Sequence, residues 1–206
     1  MPRVNSRRAT VLCLTALAAL SVTFVFLGCQ QKTQQTTSET QTSQSTEAMQ
    51  AQDPVARGKY LVTIGSCNDC HTPKLPQTGP LPEADMSRLL SGHPHDESLT
   101  AGPPPNKTWI WGGNPGMTAF YGPWGLSFAA NLSPDTTTGL GGWNEDMFIQ
   151  TLRNGKHMGT GRNLLPPMPW NWINQMTDED LRAVFAYLKS IPAVHNEVPQ
   201  PVPPKS

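Results

Sequence analysis

The chain has 206 residues in which 15 Lys and Arg balance 15 Asp and Glu, and 37% of its residues are hydrophobic. No basic patch is present, which excludes a nucleic-acid binder that works by neutralising phosphates. The length allows one domain of ordinary size beside terminal segments of other character.

Arg3, Arg7 and Arg8 precede an apolar run from Ala9 to Leu27, and no acidic residue comes before Glu39. This is the pattern of an export signal. The run ends Phe26-Leu27-Gly28-Cys29, similar to a bacterial lipobox, in which a small residue precedes a cysteine that is lipidated and becomes the new N-terminus. Residues 1–28 therefore read as a lipoprotein-type signal peptide with lipidation at Cys29, or as an uncleaved membrane helix, since about 20 apolar residues span a bilayer. The position of Gly28-Cys29 and the polar stretch after it favour the first reading. Both place the globular part outside the cytoplasm of a bacterium, membrane-anchored and facing the periplasm or cell exterior. Loss of residues 1–28 leaves 12 basic and 15 acidic residues, a formal charge of −3.

Residues 29–52 are dominated by Gln, Thr, Ser and Glu and lack aromatic and branched aliphatic side chains. Such a segment cannot bury a core and reads as a disordered tether, with a reach of about 25 Å as a flexible coil. The domain expected next covers residues 53–193. Asp53-Pro54 is a helix start, with an acidic N-cap and proline at the first position. Val55, Gly58, Leu61, Val62 and Gly65 follow at three- and four-residue spacing and give one small, apolar face. Gly58 costs about 1 kcal/mol there relative to alanine, which a close helix crossing would justify.

This helix runs into Cys67-Asn68-Asp69-Cys70-His71, which reads C-x-x-C-H, the attachment signature of a c-type haem. At this chain's cysteine and histidine content it arises by chance on the order of once in several hundred such sequences. Two thiols on one turn reach the two vinyl groups at one haem edge and form thioethers, and the next histidine is carried beneath the porphyrin as proximal iron ligand. A redox dithiol would open a helix after a strand, a pattern missing around 63–74. A structural zinc site would need a second ligand pair, and with Cys13 and Cys29 in the N-terminal segment no cysteine remains for it. One covalent haem c held by Cys67 and Cys70, with His71 on the iron, is the expectation.

Proline and glycine are dense from residue 73 to 142, so much of the wall there reads as loop, with an insertion around 73–123. Trp109, Trp111 and Trp124 lie in or just beyond it and read as a local mini-core, a cover for the haem or a docking patch. A second helix is expected from Asn144 to Asn154, capped by Asn144 and ended by Gly155, with Met147, Phe148, Thr151 and Leu152 inward. A third starts at the N-cap Thr177, carries Asp178, Glu179 and Asp180 in its first turn, buries Leu181, Val184, Phe185 and Leu188, and ends before Pro192. Residues 194–206 form a proline-rich tail expected to run extended over the surface.

The stretches ARGKYLVTIGSCNDCH, NLSPDTTTGLGGWNEDMFIQTLRNG and LLPPMPW with MTDEDLRAVFAYLKSIP resemble class I c-type cytochromes, in particular the haem domains of membrane-bound alcohol dehydrogenase cytochrome c subunits. The resemblance implies an all-α cytochrome c fold, with about three main helices around one covalently bound haem and long Gly/Pro-rich loops. It also implies a close crossing of the first and last helices, Gly58 meeting the region of Tyr187.

Electron transfer is served by two strong axial ligands, and a methionine opposite histidine raises the potential. Met168 lies in Leu165-Pro166-Pro167-Met168-Pro169-Trp170, where three prolines stiffen the backbone that presents it. The resemblance makes it the distal ligand. His157 with Met158 is the rival pair, while Met147 and Met176 read as packing residues. Asn131, Trp143 and Arg153 are candidate contacts for the haem propionates, against a plainer reading as packing or solvated groups. His93 and His95 lack a carboxylate pattern that would make a metal site, and His195 lies in the tail.

The function expected is electron transfer between redox proteins by a membrane-tethered carrier with one haem, His/Met ligation and no bond chemistry of its own. Two rivals stay open: a peroxidase-like haem enzyme or gas sensor with an open or labile sixth position, and an electron-relay subunit of a dehydrogenase or oxidase.

Overall fold

The computed structural model describes residues 53–76, 79–97, 99 and 108–204. The expected export segment, Cys29 and the polar tether all lie outside the described residues, as does most of 98–107. No helix among the described residues is long and apolar enough to cross a membrane.

Helix α1, Pro54–Ile64, begins where Asp53 accepts the Val55 N–H at 3.0 Å. It turns through Ser66, held at φ 54°, into the short helix α2, Cys67–His71. Helix α3, Glu145–Asn154, starts at Asn144, whose side chain accepts from Met147 N at 2.8 Å, and stops at Gly155 with φ 62°. A single turn, α4, covers Trp170–Ile173. Helix α5, Asp178–Ser190, is capped by the Thr177 hydroxyl, which accepts from Asp180 N at 3.1 Å. The caps satisfy amide groups that have no partner inside the helix, which is why these boundaries follow the sequence closely.

One buried cluster joins the long helices: Leu61 and Val62 of α1, Phe148, Ile149 and Leu152 of α3, and Leu181, Ala183, Val184, Phe185 and Leu188 of α5. Met147 is half-exposed, and Ile149 takes the inward place expected for it. Helices α1 and α5 approach so closely at Gly58 that an added Cβ would lie 1.9 Å from the Ala183 carbonyl oxygen and 2.8 Å from Tyr187 Cβ. The close crossing is therefore present, with the Ala183 backbone as its nearest partner. The Arg57 guanidinium clamps the same crossing by two hydrogen bonds to the Asp180 carboxylate, at 2.9 and 3.3 Å.

The all-α expectation needs correction. Strands β1 (Gly112–Gly113), β2 (Ala119–Gly122) and β3 (Gly125–Phe128) form an antiparallel sheet in the order β1-β2-β3. The architecture among the described residues is five helices, two short 3-10 turns and this small sheet. Strands of two to four residues are too short to establish a readable alternation, and the pattern AFYG then GLSF is broken by glycines at the hairpin. The tail adds to the sheet's edge: Leu126 and Val202 exchange backbone hydrogen bonds at 2.8 and 2.9 Å. Asn196, 7% exposed, anchors the tail by donating from Nδ2 to the Ser91 and His93 carbonyls at 2.7 and 2.8 Å and accepting from His95 N at 3.1 Å.

Candidate functional site

The C-x-x-C-H turn is built on the end of α1. Gly65 N bonds back to the Leu61 carbonyl and Thr72 N to the Asn68 carbonyl, while the buried Thr72 hydroxyl accepts from Leu90 N at 3.0 Å. Cys67 and Cys70 are free and half-buried. Burial pushes the Cys67 thiol up to about 11, and burial with Asp69 raises Cys70 as well. A redox dithiol needs the opposite shift, toward the thiolate.

His71 is 8% exposed. Its Nδ1–H donates to the Ala130 carbonyl at 2.8 Å. That bond sets the tautomer and leaves the Nε2 lone pair as the ring's donor toward a metal, as a ligating histidine requires. Burial holds the imidazole below its ordinary pKa, outweighing the opposing effect of the Ala130 bond. A buried imidazole, oriented by its Nδ1 bond and directly following Cys70, fits a covalently attached haem.

Met168 is partly buried and packs against the same hydrophobic cluster as Cys67, Trp143 and Met176. Its loop contains a cis Pro166-Pro167 bond and borders a cleft of about 370 Å³ lined by Leu164, Pro166 and the residues through Trp172. Two remote contacts support the loop. The Ser127 hydroxyl of β3 donates to the Pro166 carbonyl at 2.6 Å and accepts from the Trp124 indole at 3.1 Å. At the other end Trp170 lies against Gly155, where an added Cβ would meet the indole ring at 2.5 Å.

The three candidate propionate contacts separate. The Arg153 guanidinium is engaged by the Asn174 carbonyl, by the Met176 carbonyl at 2.9 Å and by Asp178 at 2.5 Å, so it ties α3 to the start of α5. Asn131, 4% exposed, donates to Thr138 and the Val194 carbonyl and accepts from Ser133 N, which fixes the loop to the tail. Trp143 packs on the core and meets His157 edge-on at 5.1 Å between ring centroids, and its indole N–H is not engaged by any described residue. Burial and Arg162 hold His157 below its ordinary pKa.

Two further histidines have partners of their own. His93 is fully buried with Nδ1 2.8 Å from the Thr118 hydroxyl, and the exposed His195 ring lies 3.5 Å from Asp135. No group of three or more His, Cys, Asp and Glu able to hold a metal ion occurs among the described residues. Of the inserted tryptophans, Trp124 joins the hairpin, whereas Trp109 and Trp111 are 71% and 48% exposed. Ser127 and Asn196 carry no motif and are found only through their contacts.

No family model matches the chain. It is 32% identical over 146 residues, 69% of its length, to the cytochrome c subunit of a quinone alcohol dehydrogenase from Gluconobacter oxydans, covering 25% of that protein. It is 26% identical over 148 residues, 72% of its length, to the fructose dehydrogenase cytochrome subunit of Gluconobacter japonicus, covering 23%. A shorter match, 35% over 86 residues and 42% of the chain, is to a nicotinate dehydrogenase subunit of Pseudomonas putida, covering 7%. The chain thus spans a quarter or less of the length of these curated relatives. The likenesses support a c-type cytochrome that resembles the cytochrome c subunits of such dehydrogenases, as the motifs imply.

Proposed function

We propose that this chain is an electron carrier in which Cys67 and Cys70 hold a single haem c, His71 is its proximal ligand and Met168 its distal ligand. The observation that carries the reading is His71: buried, tautomer-fixed by the Ala130 carbonyl, and directly after a pair of free thiols, Cys67 and Cys70, in one turn. When bound, haem supplies a one-electron iron couple. The protein's part is to hold that group, to orient the imidazole and to present the thioether of Met168 from a loop stiffened by prolines. Trp143, whose indole N–H has no partner among the described residues, is the preferred propionate donor of the three candidates, and Asn131 and Arg153 act by fixing the loops around it.

The partners are redox proteins, as expected for relatives of dehydrogenase cytochrome subunits, and contact with them is small and transient. Residues 1–28 supply an export signal, Cys29 a lipid anchor, and residues 29–52 a tether to a membrane surface outside the cytoplasm. The domain organisation is that of a cytochrome c domain over 53–193 followed by the proline-rich tail.

Replacement of Met168 by alanine tests the ligand set. The near-infrared band of thioether-to-ferric charge transfer should disappear and the reduction potential should fall. An unchanged spectrum would remove Met168 from the iron. Binding of carbon monoxide to the reduced native protein without denaturant would instead favour the haem enzyme or sensor, with His157, which lies edge-on to Trp143, as its base.

A further inference from the structure

Lys74 follows the haem-binding signature by three residues and belongs to no motif. Its Nζ lies 2.6 Å from the Thr72 carbonyl, 2.8 Å from Asp69 and 3.3 Å from Asn68, all oxygens at the C-terminal end of α2. Three acceptors around one nitrogen require three N–H donors, which an ammonium has and a neutral amine does not. The backbone beneath it is fixed: Leu75 N bonds to the Glu83 carbonyl at 2.9 Å and Asp85 N to the Pro73 carbonyl at 2.8 Å, on either side of a bridge between Lys74 and Ala84. The side chain is half-buried, so its charge is less screened than one in open solvent. The Asp69 and Thr72 carbonyls that it binds flank Cys70 and His71 in the chain, so the ammonium is held beside that turn.

We propose that Lys74 is a positioning residue for the haem site, closing the C-terminal end of the Cys67–His71 turn and placing a fixed positive charge beside the proximal histidine. This rests on the haem reading above. As a cap, it supplies a donor to the Asp69 and Thr72 carbonyls, which the end of the helix leaves without partners, and keeps Cys70 and His71 in one rigid turn. As a charge, it favours the reduced site. Reduction by one electron from a redox-protein donor lowers the charge of the site by one, and a nearby cation stabilises the less positive state.

The test uses the full chain matured with haem, as wild type, Lys74→Gln and Lys74→Arg, each scored for covalent haem per chain and for midpoint potential against mediators. Lys74→Gln is expected to shift the one-electron equilibrium three- to tenfold toward the oxidised form, about 28 to 59 mV at 59 mV per tenfold. Lys74→Arg is expected to keep the wild-type potential. Incomplete haem attachment in Lys74→Gln, restored in Lys74→Arg, would support the positioning role. Full attachment and an unchanged potential in Lys74→Gln would overturn the proposal, as would an equal fall in both variants, because arginine keeps the charge. Absence of covalent haem from the wild type would overturn the haem reading itself, a result distinguishable from either.

Discussion

The two sides of the candidate site are held by different kinds of structure. The side that carries Cys67, Cys70 and His71 grows directly from α1, which is locked to α5 by the Gly58–Ala183 approach and the Arg57–Asp180 pair. The side that carries Met168 is a loop braced by a sheet nearly forty residues upstream, through Ser127 and Pro166, and by Trp170 against Gly155. A local helix can specify a ligand by spacing alone, while a loop needs distant partners to hold it. The histidine side should therefore be the stiffer one, with disturbance of the sheet reaching the methionine first.

The largest effect should come from breaking the crossing. Gly58→Val places a branched side chain where even a Cβ meets the Ala183 carbonyl, and should cost about 3 kcal/mol in chemical denaturation. A cost under about 1 kcal/mol would mean that the helices slide apart easily and that the frame is less rigid than its geometry implies.

Asn196→Ala should cost about 2 kcal/mol, because it strips buried carbonyls of Ser91 and His93 of their donor. Hydrogen exchange should quicken at Leu126 and Val202, where the tail pairs with the sheet, and stay slow in α1 and α5. Equal acceleration everywhere would erase the distinction between frame and insertion.

Ser127→Ala should be the mildest in stability, about 1 kcal/mol, since it leaves the Pro166 carbonyl and the Trp124 indole each without a partner. Under the proposed His71 and Met168 ligation its signature should lie at the iron: a weakened near-infrared thioether band and measurable carbon monoxide binding on reduction. An unaltered band would show that the prolines hold Met168 without help from the sheet.

The legible parts of the chain are those whose physics is local. Asp53, Asn144 and Thr177 cap helices because their side chains reach amides two or three residues on. The C-x-x-C-H spacing states its chemistry within one turn, and the resemblance carried by NLSPD and PPMPW points to the same class of protein as its relatives. The stripes on α1 and α5 imply a shared core, and the small face at Gly58 implies the crossing; both are present.

What the tertiary structure decided lies in contacts that cross long stretches of chain. A sheet with strands as short as two residues gains its order from pairing and from the tail. Arg153 reads in sequence as a candidate haem contact or a solvated group, and the fold gives its guanidinium three acceptors around the start of α5. Ser127 and Asn196 are ordinary polar residues in sequence, and each acquires a role only when folding brings distant carbonyl oxygens into reach. Sequence alone determined the three long helices and the C-x-x-C-H signature because caps, periodicity and a one-turn motif act over a few residues. The bracing of the Met168 loop and the tail depended on partners tens of residues away, whose positions are set only by the packed fold.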